Sequence, residues 1–217
     1  APALPAPDPF EIDGLNQIIP GMTVDLQITF FNEDGYEETE ILQLPLGVIT
    51  ANDAAGPDAY GYICFDDQDT GYEQAPVYEW IEIDPGAGGA GTNTGLSDTS
   101  TEDEDSCWID LPFTFRFYGE EFDGITICTN GWISFIETEQ LTFRNWPIPD
   151  GLGPNAQVAA FWDDLRTTGG GIYYYYDEST HPDTPCFIIE WDAINSASSA
   201  GEKFQILLYD PLYNSAP

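Results

Sequence analysis

An all-β fold, an antiparallel β-sandwich of two packed sheets, is what this sequence predicts, and three observations carry it. The first is the alternation of apolar and polar residues across 111–135, LPFTFRFYGEEFDGITICTNGWISF. The second is the supply of turn formers: 21 Gly and 17 Pro in 217 residues suit many strands and tight connections better than long helices. The third is an aromatic content of 14%, enough for a sizeable core in so polar a chain.

The 111–135 run reads as a three-strand meander. Phe113, Phe115 and Phe117 alternate with Thr114 and Arg116, the period of a strand with one buried face. Residues 119–124 are a polar turn, and Ile125, Ile127 and Thr129 then alternate with Thr126 and Cys128. Asn130-Gly131, the pair best suited to a type I′ hairpin turn, leads into a return strand over 132–135.

From the N-terminus, residues 1–14 begin APALPAPDPF and are expected to form a Pro-rich extended arm. Residues 15–55 form a β-hairpin segment: strands over 24–31 and 39–50 flank the turn NEDG, the second strand breaking near Pro45. Two strands alone are marginal in water, so this piece is expected to dock on something else. The main sandwich spans 56–217. It opens with strands over 60–65 and 77–83, separated by the acidic loop FDDQDTGYEQAP. Residues 86–105 carry no periodicity and are expected to be an exposed, mobile loop. In 155–165, NAQVAAFWDDL, helical spacing of Val158, Phe161, Trp162 and Leu165 competes with a short buried strand, VAAFW. Strands follow over 172–176, 186–191 and 204–209.

Thirty-nine acidic residues against four basic give a formal net charge of −35. Such a surface repels phosphate backbones and anionic lipid, so nucleic acid is excluded as a partner, and it suits divalent cations or a basic partner. No run of about 18 apolar residues is present, so no membrane insertion is expected. The chain starts without Met, which reads as a processed N-terminus or a fragment. Cys64, Cys107, Cys128 and Cys186 are widely spaced with no CxxC pair. They are expected to form two disulfides in an oxidising, extracellular or cell-surface setting, with Cys64 joined to Cys107 and Cys128 to Cys186 among three connectivities.

No catalytic constellation is visible, and the chain is not expected to be an enzyme. His181 is the single histidine and reads as a surface residue; no GxSxG, HExxH or P-loop occurs. Calcium is the better chemical expectation, as a hard cation taking six to eight oxygens. Its candidate ligands are Asp66, Asp67 and Asp69 in FDDQDTG, with Asp163 and Asp164 as a second pair; strand-end carboxylates also serve as caps for backbone N–H groups. Trp146, Tyr174 and Tyr176 are candidates for stacking on a glycan, whereas Trp132, Trp162 and Trp191 read as core.

The segments GPDAYGYICFDDQDTGYEQAPVYEWIEI, LPFTFRFYG, ITICTNGWISF, NWPIPDGLGPNAQVAAFWDDL, GGIYYYYD, FIIEWDAI and FQILLYDP together resemble, in order over about residues 56–212, the nidogen-type extracellular domain. The likeness is closer still to the bacterial form found beside secreted peptidases, including gingipain-like proteins. The resemblance implies an all-β sandwich without a catalytic role, and it implies a strand at VAAFW. It also implies further strands after the last motif, so that either the chain is a fragment or another element fills that edge. The N-terminal segment resembles a partial immunoglobulin-like domain of the kind that precedes this module.

The function expected from these features is that of a non-catalytic structural or adhesive module of a secreted or cell-surface bacterial protein. It would self-associate by strand addition in an extracellular fibre, or engage another extracellular protein. The alternatives are an accessory domain of a secreted peptidase and a carbohydrate-binding module with a glycan partner.

Overall fold

The computed structural model describes residues 19–100, 103–149, 151–178 and 185–213. The arm over residues 1–14, His181 and Glu102 lie outside them. The chain divides into two compact units, Ala1–Trp80 and Ile81–Pro217.

In the first unit β1, Thr23–Phe31, pairs antiparallel with β2, Glu37–Pro45, in unbroken register from Thr23↔Pro45 to Phe31↔Glu37. Asn32 sets the turn: its Oδ1 accepts from the N–H groups of Asp34 and Tyr36. Phe30, Phe31, Ile41 and Leu42 of this hairpin are exposed. The strand expected over 60–65 is reduced to one bridge, Ala55↔Cys64. Asp58 explains the difference. Its Oδ1 accepts from the N–H groups of Tyr60, Gly61 and Tyr62, which a ladder would otherwise use.

The second unit is a sandwich of two four-stranded antiparallel sheets. One has the order β4-β5-β6-β7, built from Ser106–Phe117, Glu120–Cys128, Trp132–Ser134 and Gln157–Ala159. The other has the order β10-β9-β8-β3, built from Gly201–Tyr209, Cys186–Asn195, Leu165–Asp177 and Thr92–Asn93. Helix is confined to one 3₁₀ turn, Pro85–Ala87, among the described residues, so VAAFW is not helical; strand covers only its first two residues, Val158 and Ala159. No described helix is long and apolar enough to cross a membrane.

The core lies between the sheets. Leu111, Phe113, Ile125, Ile127, Ile133 and Phe135 come from one; Ile172, Phe187, Ile189, Trp191, Ile206 and Leu208 come from the other. The rings of Phe113 and Tyr176 meet at 5.8 Å between centroids, and the Trp191 indole donates to the Cys128 carbonyl at 2.9 Å. Strand β9 is buried on both faces, which is why CFIIEW reads as an unbroken apolar run. Its outer face is covered by Ile81 and Ile83, packed on Tyr173, Cys186 and Ile188.

Three local expectations change. The type I′ turn of the meander sits at Tyr118-Gly119, both with positive φ, where Phe117 pairs with Glu120. Asn130-Gly131 instead belongs to a three-residue loop between the paired Cys128 and Trp132, with only Gly131 at positive φ (77°). The fully buried Asn130 side chain is taken inward: Oδ1 accepts from Leu165 N–H and Nδ2 donates to the Leu141 carbonyl. The strand expected over 77–83 makes no ladder. Side chains replace it, with Gln205 Nε2 donating to the Ile81 carbonyl at 2.6 Å and Ile83 N–H donating to Glu190 at 3.3 Å. Nor is 86–105 a loose loop throughout. Thr92 and Asn93 pair with Tyr174 and Tyr173, and Leu96 and Asp98 are buried.

Candidate functional site

A sandwich that opens at its edges leaves rows of unpaired backbone N–H and C=O groups there, and these template another strand. The four edges of this unit differ. Strands β3 and β7 have two and three residues. Strand β4 is long, but its register slips between Asp110 and Phe115, and Pro112 within that stretch has no N–H to give. Strand β10 runs nine residues in unbroken register with β9, from Gly201↔Ile194 to Tyr209↔Cys186. No described strand pairs with its other side. Phe204, Ile206 and Leu208 anchor it in the core, and Lys203, the residue type that commonly blunts such an edge, is turned onto the sheet face by ion pairs to Glu82 at 2.8 Å and Glu190 at 3.1 Å.

Of the five carboxylates expected to bind calcium, Asp66, Asp69 and Asp163 accept hydrogen bonds from nearby groups, while Asp164 Oδ1 is buried without a hydrogen-bond partner among the described residues. Asp69 is buried and its Oδ2 accepts from Asp66 N–H, while Asp66 Oδ1 accepts from Gln68 N–H; Asp67 is exposed. Asp163 accepts from Asp164 N–H and from the Asn195 amide. Among the described residues no three His, Cys, Asp or Glu side chains are grouped to hold a metal ion.

The aromatic candidates are not brought together. Tyr174 and Tyr176 turn inward, Tyr174 stacking on Phe187 and Tyr176 donating to Asp210 at 2.9 Å. Burial first, and then that bond, push the Tyr176 phenol up to about 12. These two rings are half-buried against the core, whereas Trp146 is exposed on the loop between β6 and β7.

All four cysteines carry free thiols. The expected Cys128–Cys186 bridge is excluded by register. Trp191 on β9 reaches Cys128, and Cys186 lies five residues away on that strand, about 17 Å at the rise of a strand. A disulfide needs Cα atoms within about 7 Å. Cys107 and Cys128 do not pair either: Cys107 stands opposite Ile127, so Cys128 points to the other face of its sheet. Cys64 and Cys107, the other expected pair, belong to different compact units, and each carries a free thiol. Burial pushes the thiols of Cys107 and Cys186 up to about 11 and that of Cys128 up to about 12, leaving them inert at neutral pH. A thiol reagent is therefore expected to modify exposed Cys64 rapidly in the native protein, and buried Cys128 and Cys186 only on unfolding; rapid modification of Cys128 would contradict this packing.

Periodicity also misses a buried carboxyl, Asp98. Its N–H donates to Thr167 Oγ1 at 2.9 Å, and its Oδ2 accepts from Thr129 Oγ1 at 3.2 Å. Its Oδ1 has no hydrogen-bond partner among the described residues. Burial, only partly offset by the Thr129 bond and reinforced by the charges of Glu104, Asp164 and Asp103, pushes this carboxyl from 3.8 up to about 6. The folded state thus holds a proton that the unfolded chain releases. The resulting stabilisation is full below pH 3.8 and is lost as pH rises through about 6. Asp98→Asn should remove this dependence. Between pH 5 and 7.5 the variant is expected to gain on the wild type by about 1.4 kcal/mol in urea titrations, and parallel profiles would refute the assignment.

Two comparisons with known proteins bear on this unit. A protein-family model described as NIDO related matches residues 82–211, close to the limits of the second compact unit. No solved structure matches the chain.

Proposed function

From the premise that this chain belongs to the NIDO-related family, we propose that it is a structural or adhesive module that joins another polypeptide by strand addition along β10. Nidogen-related modules are non-enzymatic and extracellular in type. What supports the finer reading is one observation: β10 is the long, regular edge of the sandwich, with no described strand on its outer side. An extended segment laid there gains main-chain hydrogen bonds for affinity and alternate side-chain contacts for selectivity. The donor is a second copy of this chain, with the Pro-rich residues 1–14 as the added segment. In the bacterial, peptidase-associated setting that the motif order resembles, this would build an extracellular fibre.

Sedimentation velocity over a concentration series tests this. The full chain is expected to form larger species with rising concentration, and a chain starting at residue 15 is expected to stay monomeric. Two surfaces of charge −35 oppose contact, so raising sodium chloride from 0.05 to 0.5 M should strengthen the association. A monomer at all concentrations and salts, or assembly unchanged by the deletion, would overturn the reading.

A further inference from the structure

Strand β4 carries an outward tryptophan that the sandwich does not use. Cys107 and Ile109 pack on the core side, so Ser106, Trp108 and Asp110 face outward. The Trp108 indole lies flat on the sheet over Gly124. A Cβ at residue 124 would come within 2.2 Å of Trp108 Cζ2 and 2.6 Å of Cε2, so only glycine leaves room for the ring there. The indole N–H donates to Asp110 Oδ1 at 2.9 Å, fixing the ring in its plane. One face rests on backbone, and the side chain is 37% exposed.

Beside the ring stands a wall held by the neighbouring strands. Thr126, paired with Trp108, donates to the Ile136 carbonyl at 3.0 Å and accepts from Thr138 N–H at 3.2 Å. Ser134 holds Ile136 from the other side. These bonds place Glu137 and Glu139 at the rim of a groove of about 410 Å³ whose floor includes Ser106, Trp108 and Thr126. Both carboxylates are exposed, and neither is in an ion pair among the described residues.

The geometry points to this groove as a binding site for a cationic side chain, the guanidinium or ammonium of a basic segment on a partner protein. The charged groups around it, Asp110, Glu137 and Glu139, are acceptors alone. That excludes anions and favours a donor-rich group over a sugar, whose hydroxyls need donors as well as acceptors. A carboxylate on the indole N–H adds electron density to the ring face, and tryptophan is the strongest of the cation–π partners. The net charge of −35 steers a basic partner to this surface. The groove is on the β4–β5 sheet and β10 is on the other, so the two sites are independent.

The probe is acetyl-glycyl-arginyl-glycinamide, titrated into the ¹⁵N-labelled full chain at low salt. The indole N–H resonance of Trp108, assigned by its loss in Trp108→Phe, is expected to shift and saturate. Affinity should fall about tenfold in Trp108→Ala and by a similar factor in Glu137→Gln/Glu139→Gln, whose exposed positions leave the fold intact. Gly124→Ala, which lifts the ring without removing it, should also weaken binding. The proposal is overturned if the affinity is the same in the Glu137→Gln/Glu139→Gln variant, which would mean diffuse charge attraction. It is equally overturned if cellohexaose, and not the arginyl peptide, shifts the Trp108 resonance.

Discussion

Gly131→Ala is expected to lower the stability of the sandwich by about 4 kcal/mol, combining the cost of a left-handed residue with a Cβ and that of overpacking. The residue has φ of 77°, and a Cβ there would lie 1.9 Å from the Phe161 carbonyl oxygen and 2.8 Å from its carbon. Neither atom can swing aside, because both are backbone, and Phe161 N–H itself bonds to the Gly131 carbonyl. The strain falls where several elements meet. Neighbouring Asn130 ties the loop to Leu165 and Leu141, and the indoles of Trp132 and Trp162 both donate to the Thr142 carbonyl. Urea denaturation followed by tryptophan fluorescence reads the loss. A change under 1 kcal/mol would mean that the β5–β6 loop and the residue 161 backbone are not packed this closely.

Lys203→Met is expected to cost about 3 kcal/mol at pH 7.5, because it leaves the carboxylate of Glu190 without its countercharge. Glu190 is fully buried on the outer face of β9, bonded to Lys203, to Gln205 at 2.8 Å and to Ile83 N–H. Burial raises the Glu190 pKa, and its donors offset this only in part. Burial alone would lower Lys203, but its bonds and charge interactions with Glu82 and Glu190 prevail and hold it above the ordinary lysine value. Without Lys203 the Glu190 carboxyl is driven further up. Its contribution is then retained at acid pH and lost as pH rises, so the deficit should widen from pH 5 to pH 8. Lys203→Met/Glu190→Gln removes the stranded charge and should recover more than half of the loss. A double variant no better than the single would show that Lys203 acts through packing of its stem and not through Glu190.

The strands of the second unit were legible because burial of one face writes itself as alternation, as in Phe113, Phe115 and Phe117, and burial of two faces as an apolar run, as in residues 186–191. What alternation cannot register is a side chain that stands in for a ladder. Asp58 takes three backbone N–H groups and cancels one expected strand; Gln205 and Glu190 hold Ile81 and Ile83 in place of another. The cysteines misled for a related reason. An even count implies pairs, but the face and register that keep Cys128 from Cys107 and Cys186 exist only once the strands are aligned. Tyr174 and Tyr176 lie two residues apart and so share a face of β8, but alternation alone does not say that this face is the inner one. Trp108 was passed over because Gly124, the residue that lets its ring lie flat, sits on the neighbouring strand.

The most direct measurement is residue-resolved hydrogen exchange over β10, first in dilute monomer and then in the assembled protein. Along an edge strand alternate amides point to β9 and outward. The outward set within Gly201–Tyr209 is expected to exchange rapidly in the monomer and to become protected on assembly, in step with the loss of monomer in sedimentation. Assemblies in which those amides still exchange as fast as in the monomer, with new protection elsewhere, would contradict strand addition at this edge.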